Sequence, residues 1–404
     1  MISPSATAAT PKLLEYIGKI MIYGQEHEQI RSAIRRFIEG EINPHVDTWE
    51  ERGTWPAHEV CKMAGDAGFL GINRPEKYGG MNLDLSYAMI WAEEIGRIPA
   101  GGVATGLSIT SQMATPALAV HGSHALCTEY LTPTIAGDLV ACLGVSETGG
   151  GSDVANIKTY ARRDGDDYII SGSKMWITNG VQADWVCLLC NTSTENGPHK
   201  NKSLIVVPLD AKGVSRSKPL KKLGMHSSDT AQLFFDDVRV PVSNRIGEEG
   251  RGFIYQMEQF TDERLVVAAR TTSQLQQCVD LTAEYTAQRA VFGKPLLDNQ
   301  WIQFSLAEYQ MEIEALKSMT YRAVQEVMGG GQHRLLTAAV KLKTGKLARS
   351  IPEGCLQFWG GMGYMADNVV GRLMRDSRLV SIGGGANEVM AMVIAKEMGL
   401  FSRN

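Results

Sequence analysis

The sequence predicts an α+β fold with segregated helices and strands: a helical N-terminal region, a small central sheet domain and a C-terminal helical bundle. Two observations carry this. The apolar period shortens near residue 139 and lengthens again near residue 249. The middle stretch is cut repeatedly by turn formers, whereas the last runs in long amphipathic segments. Segregation of this kind argues against a doubly wound α/β fold, in which strands and helices alternate.

Residues 1–138 form the first region. From about Glu26 to Gly137 it reads helical, with Ile30, Ile34, Phe37 and Ile38 at helical spacing and Arg31, Arg35 and Arg36 between them. Gly79-Gly80 and Gly101-Gly102 punctuate it. Residues 139–248 form the second region. Tyr168-Ile169-Ile170, Trp185 to Leu189, Leu204 to Val207 and Leu233 to Val240 are short apolar or alternating runs. Asp164-Gly165-Asp166, Asn179-Gly180, Asn196-Gly197-Pro198 and Ala211-Lys212-Gly213 separate them as turns. Residues 249–404 form the third region. Ile302, Leu306, Tyr309, Ile313, Leu316 and Thr320 make one stripe, with Glu308, Glu312 and Glu314 off it. Gly329-Gly330-Gly331 breaks helix from helix, so the segments read as a bundle.

Composition bounds the function classes. The 404 residues are 44% apolar and 21% charged, an ordinary globular balance with ample core. A net charge of −4 offers no general footprint for nucleic acid. Seven scattered cysteines argue against a disulfide scaffold and for a reducing compartment. The stretch from Ile98 to Cys127 lacks Asp, Glu, Lys and Arg, but Gly101, Gly102, Gly106, Ser108, Thr110, Gln112 and Pro116 interrupt it. It reads as buried helix and loop, and no membrane span is expected. The first twenty residues carry only Lys12 and Lys19 as cations, a poor transit peptide, and the end Phe401-Ser402-Arg403-Asn404 is not a peroxisomal address.

Several familiar chemical signals are absent or false. Cys187-Leu188-Leu189-Cys190 matches C-x-x-C, yet it lies in a strand pattern whose side chains alternate faces, and no second pair exists. His121 and His124 are three apart without an acidic or thiol partner at ligand spacing, so no metal site is expected. There is no phosphate loop and no G-x-G-x-x-G after a strand. The informative segment runs from Leu143 to Gly180. Its three glycines, Gly149 to Gly151, followed by Ser152 and Asp153, make either a plain loop or an exposed backbone that a planar ring or pyrophosphate could approach. Trp176-Ile177-Thr178 places an aromatic ring and a hydroxyl beside it, as a buried strand pair or as a flavin platform.

Together these two pieces resemble the flavin-binding sheet domain of the acyl-CoA dehydrogenase family, and the resemblance spreads over nearly the whole chain. Asp229 to Pro241 looks like the strand closing that domain. Arg289-Ala290-Val291-Phe292-Gly293-Lys294 matches the family's Arg-x-x-Phe-Gly-Lys signature, and Gln300 its following Gln. Gln357-Phe358-Trp359-Gly360-Gly361-Met362-Gly363-Tyr364 matches Gln-x-x-Gly-Gly-x-Gly, with Arg375-Asp376 and Asn387-Glu388 following in order. The resemblance implies an α-helical N-terminal domain, a central β-barrel-like domain and a C-terminal four-helix bundle. It also implies FAD. Leu143, Val145, Ser146, Gly151, Ser152, Trp176, Ile177 and Thr178 would contact the isoalloxazine, with Ala386, Asn387 and Glu388 covering it. Arg289, Val291, Phe292, Gln300, Gln357, Phe358, Trp359, Gly360 and Gly361 would hold the adenosine diphosphate end from a neighbouring subunit, since Arg offers a fork to phosphate.

The family's reaction removes an α proton from an acyl-CoA thioester while the β hydride goes to the flavin. It needs a carboxylate in an apolar pocket and donors for the enolate oxygen. In the family these donors are the backbone N–H of the base-bearing segment and a ribityl hydroxyl. Many members carry the base in Tyr-Glu-Gly-Thr near the C-terminus. The matching stretch, Ile382-Gly383-Gly384-Gly385-Ala386-Asn387-Glu388, has Gly384 at the Glu position. Either the chain is inactive or its base lies elsewhere. A minority, including the long-chain and isovaleryl types, carries the base in a Leu-x-x-Glu-Arg-like sequence. Phe260-Thr261-Asp262-Glu263-Arg264 matches it, which makes Glu263 the expected catalytic base. The bland reading of Glu263 is an exposed acid in a helix's first turn. Asp262 and Arg264 are expected to shape the substrate mouth, Ser152 to contact the thioester, and Gly385 to join them in binding substrate.

The resemblance further implies a homotetramer, a dimer of dimers, passing electrons to an electron-transfer flavoprotein. It implies a mitochondrial matrix enzyme in a eukaryote or a cytoplasmic one in a bacterium. Lys222-Leu223-Gly224-Met225 and Asp229-Thr230-Ala231 look most like the long-chain straight-chain type, with an isovaleryl-like branched substrate as the alternative. An oxidase or flavin monooxygenase, or a non-catalytic lipid-binding protein on the same scaffold, are further alternatives.

Overall fold

The computed structural model describes residues 22–401 apart from 196 and 332. The readings made on the first twenty residues, on Asn196 and on the last three residues lie outside the described part.

The N-terminal region is helical: α1 (Gln25–Phe37), α2 (Val46–Arg52), α3 (Ala57–Asp66), α4 (Leu85–Ile95), α5 (Gly101–Ser108) and α6 (Pro116–His121), followed by short helical turns to Ile135. Of the expected stripe, Ile34 on α1 and Ile38 in the π-turn (Ile38–Ile42) after it are buried, while Ile30 and Phe37 are half-buried. Arg31 and Arg35 on its flank reach Glu94 of α4 at 3.0 and 2.8 Å, and Arg31 reaches Glu93 at 2.7 Å. These pairs let α4 bury every residue from Ser86 to Ile95 despite two adjacent acids. The charge-free stretch after Ile98 folds as α5, a π-turn (Ile109–Met113) and α6. No helix among the described residues is long and apolar enough to cross a membrane.

Eight strands follow: β1 (Ala141–Gly144), β2 (Tyr160–Asp164), β3 (Asp167–Ile177), β4 (Trp185–Asn191), β5 (Lys202–Pro208), β6 (Val214–Arg216), β7 (Ala231–Pro241) and β8 (Arg245–Ile246). They form one sheet in the order β6-β7-β3-β2-β4-β5-β8, with β1 parallel to β4. The pairing path stays open between β6 and β8. β4 reads as one apolar run because both its faces are covered. Val186, Leu188 and Cys190 pack with the N-terminal helices, while Trp185, Cys187 and Leu189 join a second core. The two cysteines of the C-x-x-C therefore point to opposite faces.

The C-terminal region opens on α7 (Gly252–Gln288), a helix of 37 residues. A hairpin of β9 (Ala290–Val291) and β10 (Lys294–Pro295) leads to α8 (Gln300–Met328), α9 (Arg334–Gln357), α10 (Val369–Ser377) and α11 (Asn387–Glu397). The stripe on α8 is buried at Ile302, Leu306, Ile313, Leu316 and Thr320. Helices α7, α8 and α9 pack on one another, and α11 lies against α9 as the fourth member of the bundle. The position of α7 matters most for function. It packs against α4 on one side and against β4 and β5 on another, so its middle turns sit where all three regions meet.

Candidate active site

The sheet offers an open platform at the end of β3. The β3–β7 register shifts between Lys174 and Ile177, and Trp176 stands in that irregularity with φ of 60°. A bulky residue at positive φ is strained by roughly 1–3 kcal/mol and persists only where its surroundings impose it. The bulge turns the indole outward, leaving it 55% exposed while Ile177 is buried behind it. Thr178 and Ser146 are half-buried beside it, and the Met175 N–H donates to the Ser146 carbonyl at 2.9 Å. Leu143 on β1 is half-buried and Val145 is buried.

The glycine loop next to this platform is pinned from below. Buried Glu147 accepts from the Lys158 and Thr159 N–H groups at 2.6 and 2.9 Å and from the Thr159 hydroxyl at 2.6 Å. It also pairs with Lys174 Nζ at 2.9 Å, and that ammonium donates to the Val145 carbonyl at 2.9 Å. Burial works against the Glu147 charge, but Lys174 and these donors outweigh it and hold its carboxyl below the usual range. The sequence reading did not single out this pair, because an isolated Glu and a strand Lys carry no spacing signal. Above it, a side chain at Gly149 or Gly151 would meet nothing, so the backbone and exposed Ser152 face open space.

Glu263 is the twelfth residue of α7 and only 5% exposed. The first-turn reading of this acid therefore fails. Burial pushes its carboxyl up to about 8, with the Gln259 hydrogen bond and Arg264 opposing. Gln259 Nε2 donates to Glu263 Oε1 at 2.8 Å and also to the Met113 carbonyl. The Ala117 N–H donates to Gln259 Oε1 at 3.0 Å, which fixes the amide's orientation. Gln259 thus ties the carboxyl to the N-terminal region; its place one turn before Glu263 was the available sequence signal. The carboxyl also lies near the sheet. Burial and then the Glu263 charge push the Cys187 thiol up to about 12, and Cys187 is the register partner of Leu143. The amide N–H of Glu263 belongs to the helix ladder. The Glu263 amide is therefore not free to donate to an enolate oxygen.

The loop Ile382 to Ala386 sits across from this turn. Gly384 and Gly385 have φ of 65° and 106°. A side chain at Gly384 would meet only Lys341 Cε at 3.7 Å, whereas one at Gly385 would come within 2.7 Å of Met390 and 3.8 Å of Arg264 Nε. Lys341 Nζ, fully buried on α9, donates to the Val380 and Gly385 carbonyls at 2.7 and 3.1 Å and so clamps both ends of the loop. Burial and then Arg264 lower this amine to about 8. Arg264 Nε is buried without a partner among the described residues. Asp262 is half-buried and burial raises its carboxyl, with the His333 and Arg74 charges opposing. Ala386 caps α11, Asn387 begins it and Glu388 is exposed in its first turn. A solvated Glu388 lacks the environment of a base; Glu263 has it.

The remaining expected cofactor residues gather elsewhere. Arg289 ends α7, and the β9–β10 turn is Phe292-Gly293 with φ of 52° and 80°, a primed hairpin turn. Phe292 is fully exposed, and Arg289, Gln300, Gln357, Gly360 and Gly361 are exposed nearby. Trp359 stacks on Tyr285 at 4.1 Å and donates to Thr282 Oγ1 at 3.0 Å, which holds this segment on the end of α7. Phe358 is buried in the bundle core, so it can offer a ligand only backbone. Arg289 follows Glu263 by 26 residues of one helix, about 39 Å. The structure thus forms two clusters, not one.

Comparison with known proteins decides what this arrangement is. The acyl-CoA dehydrogenase N-terminal, middle and C-terminal domain profiles match residues 24–138, 142–238 and 250–399. The chain belongs to the acyl-CoA dehydrogenase family. It is 34% identical to the mitochondrial long-chain specific acyl-CoA dehydrogenase of Sus scrofa over 98% of this chain and 90% of that protein. It is 33% identical to the mitochondrial isovaleryl-CoA dehydrogenase of Oryza sativa, covering 94% and 92% respectively. A crystal structure of an acyl-CoA dehydrogenase from Geobacillus kaustophilus superposes with a TM-score of 0.90 at 37% identity, over 93% of this chain and 98% of that one. Members of the acyl-CoA dehydrogenase family are FAD-dependent oxidoreductases. The platform suits that cofactor: an outward indole, two half-buried hydroxyls and a side-chain-free backbone loop lie together.

Proposed function

We propose that this protein dehydrogenates a medium- to long-chain straight acyl-CoA to the trans-2-enoyl-CoA, with Glu263 as the base. The observation that carries the reading is a buried carboxyl of raised proton affinity, beside Arg264, whose Nε borders the Gly384-Gly385 loop, where a side chain at Gly384 would meet only Lys341 Cε at 3.7 Å. FAD, when bound, supplies the acceptor for the hydride leaving the β carbon. Leu143, Val145, Ser146, Gly151, Ser152, Trp176, Ile177 and Thr178 would hold its ring, with Ala386, Asn387 and Glu388 nearby. Ionised Glu263 takes the α proton; a desolvated carboxylate is a stronger base than a solvated one. The free amides of the Gly384-Gly385 turn, which make no backbone bond among the described residues, are suited to polarise the thioester carbonyl. Base and oxyanion donor then lie on different elements. Asp262, Arg264, Ser152 and Gly385 border the entry.

The 39 Å between Glu263 and Arg289 supports a shared site, because one FAD cannot span it. Arg289, Val291, Phe292, Gln300, Gln357, Phe358, Trp359, Gly360 and Gly361 would then serve the adenosine end of a second chain's cofactor. Exposed Trp301, Phe304 and Met311 along one face of α8 favour a covering copy of this chain, consistent with a homotetramer. Electrons would pass to an electron-transfer flavoprotein, in the matrix of a mitochondrion or the bacterial cytoplasm. The branched, isovaleryl-like reading is favoured by a relative of nearly equal identity. Anaerobic titration of the flavin-loaded protein with straight and branched acyl-CoAs of graded length separates the two. Bleaching by at least one thioester is expected. No bleaching by any would sink the dehydrogenase reading, and rapid peroxide formation without another acceptor would point to an oxidase.

A further inference from the structure

Among the described residues, Arg31, Arg74 and Arg372 are matched with acceptors and Arg270 is not, beyond a single hydroxyl; Arg264, whose Nε also lacks a partner, borders the site already described. Arg31 pairs with Glu93 and Glu94, and Arg372 with Asp47 and the Pro99 carbonyl. Arg74 donates to Thr115, to the Ser111 carbonyl and to Asn73. Arg270 is 8% exposed, and its one partner among the described residues is Ser108 Oγ at 3.3 Å. No carboxylate there lies within ion-pair distance of it. Burial lowers the guanidinium to about 10, and no neighbouring charge offsets the effect. An isolated buried charge is costly to keep, so a group that completes it is to be sought.

Arg270 stands seven residues after Glu263 on α7. Seven residues return a helix to nearly the same face after about 10 Å. Both groups look at the same N-terminal segment. Gln259, one turn before Glu263, is bonded to Met113 and Ala117, and Arg270 to Ser108 at the other end of that π-turn. Between them Val266 and Val267 are buried. The seam is apolar, with a carboxyl at one end and a guanidinium at the other.

We propose that Arg270 is a specificity residue that receives a carboxylate carried on the far end of the acyl chain, making ω-carboxyacyl-CoAs the preferred substrates. The inference rests on the reading of Glu263 as the group facing the α carbon, and it narrows the chain length of that reading to the six- to eight-carbon range. Four to six bonds of extended chain at ~1.2 Å each, with a contact of about 3 Å at either end, span about 11–13 Å. Six- to eight-carbon diacid thioesters are therefore the lengths whose reach comes nearest the ~10 Å helical rise from Glu263 to Arg270, and a bidentate carboxylate suits the guanidinium's fork.

The test uses the FAD-loaded protein carrying Glu263→Gln, so that binding is read without turnover. Calorimetry compares adipyl-CoA with hexanoyl-CoA and suberyl-CoA with octanoyl-CoA. Each diacid thioester is expected to bind at least tenfold more tightly than its partner. Adding Arg270→Met should weaken adipyl-CoA on the order of 100-fold and tighten hexanoyl-CoA, inverting the preference, while Arg270→Lys keeps part of it. Thermal melting checks folding, and the Met variant should melt no lower than its parent. The ratio for the parent protein decides the question even if a variant fails to fold. Equal or tighter binding of both monoacid thioesters, or a ratio that Arg270→Met leaves unmoved, overturns the proposal. Flavin bleaching by the same thioesters, with Glu263 intact, reports separately on the dehydrogenase reading. A diacid preference without bleaching sinks that reading alone, and bleaching by hexanoyl-CoA without a diacid preference sinks this one alone.

Discussion

At the scale of single residues, Glu263 makes opposite demands on activity and stability. As a base it must be ionised, so kcat/KM for the free enzyme should rise with pH through an apparent pKa of about 8. Glu263→Gln should remove at least a thousandfold of flavin reduction and keep FAD bound. Glu388→Gln, in the exposed first turn of α11, should cost little in that assay. Stability carries the reverse sign. Between the ordinary carboxyl value of 4.5 and about 8 the native protein holds a proton that the unfolded chain has lost. Stability therefore falls as pH rises across that window, by on the order of 5 kcal/mol in all. Glu263→Gln should thus leave the melting temperature near that of the parent at pH 4.5 and raise it increasingly up to pH 8. A constant difference across this range would show that Glu263 is not the buried acid described.

At the scale of elements, the clamp on the C-terminal loop depends on how closely α9 meets α11. A side chain at Gly345 would come within 2.1 Å of Asn387 Oδ1 and 3.2 Å of the Ser381 backbone. Gly345→Ala should therefore push α11 away from α9, cost about 1–3 kcal/mol in urea unfolding and weaken flavin retention. Unaltered unfolding would mean the helices have slack there. Elements of this kind differ in how well the sequence announced them. The stripe on α8 and the apolar runs of β3, β4, β5 and β7 were legible, because burial of one or both faces imposes a period. β2, with exposed Arg162 and Arg163, has no such period and was legible only as part of a turn-rich region. Glu263 and the Trp176 platform were legible through motif resemblance. Lys341, Gln259 and the Glu147–Lys174 pair were not, because their roles come from contacts between segments 27 to 146 residues apart in the chain. The strain at Trp176 was also hidden, since a positive φ on an aromatic residue is set by the β3–β7 bulge and not by local preference.

At the scale of the whole molecule, α7 divides the expected FAD contacts between two ends. Its middle carries Glu263 next to the sheet platform, and its end carries Arg289 beside Phe292 and the Gln357 to Gly361 segment. A straight helix holds these ends about 39 Å apart whatever the rest of the chain does. If both serve one cofactor, they come from different copies, and the site is complete only in an oligomer. Two damaged chains should then repair each other. Arg289→Ala alone should lose FAD at low free cofactor, and Glu263→Gln alone should keep FAD without reducing it. When the two are co-expressed, a mixed pair has one site bearing both changes and one site bearing neither. The intact site should reduce its flavin at the parental rate, giving a mixed pair half the activity of the parent. Purification of mixed pairs by two different affinity tags isolates the species to be assayed. Activity there, absent from either variant alone, follows only if Glu263 and Arg289 act across a subunit boundary. Mixed pairs as inactive as their parents would place each complete site within one chain and remove the reason for assigning Arg289 to a neighbour's cofactor.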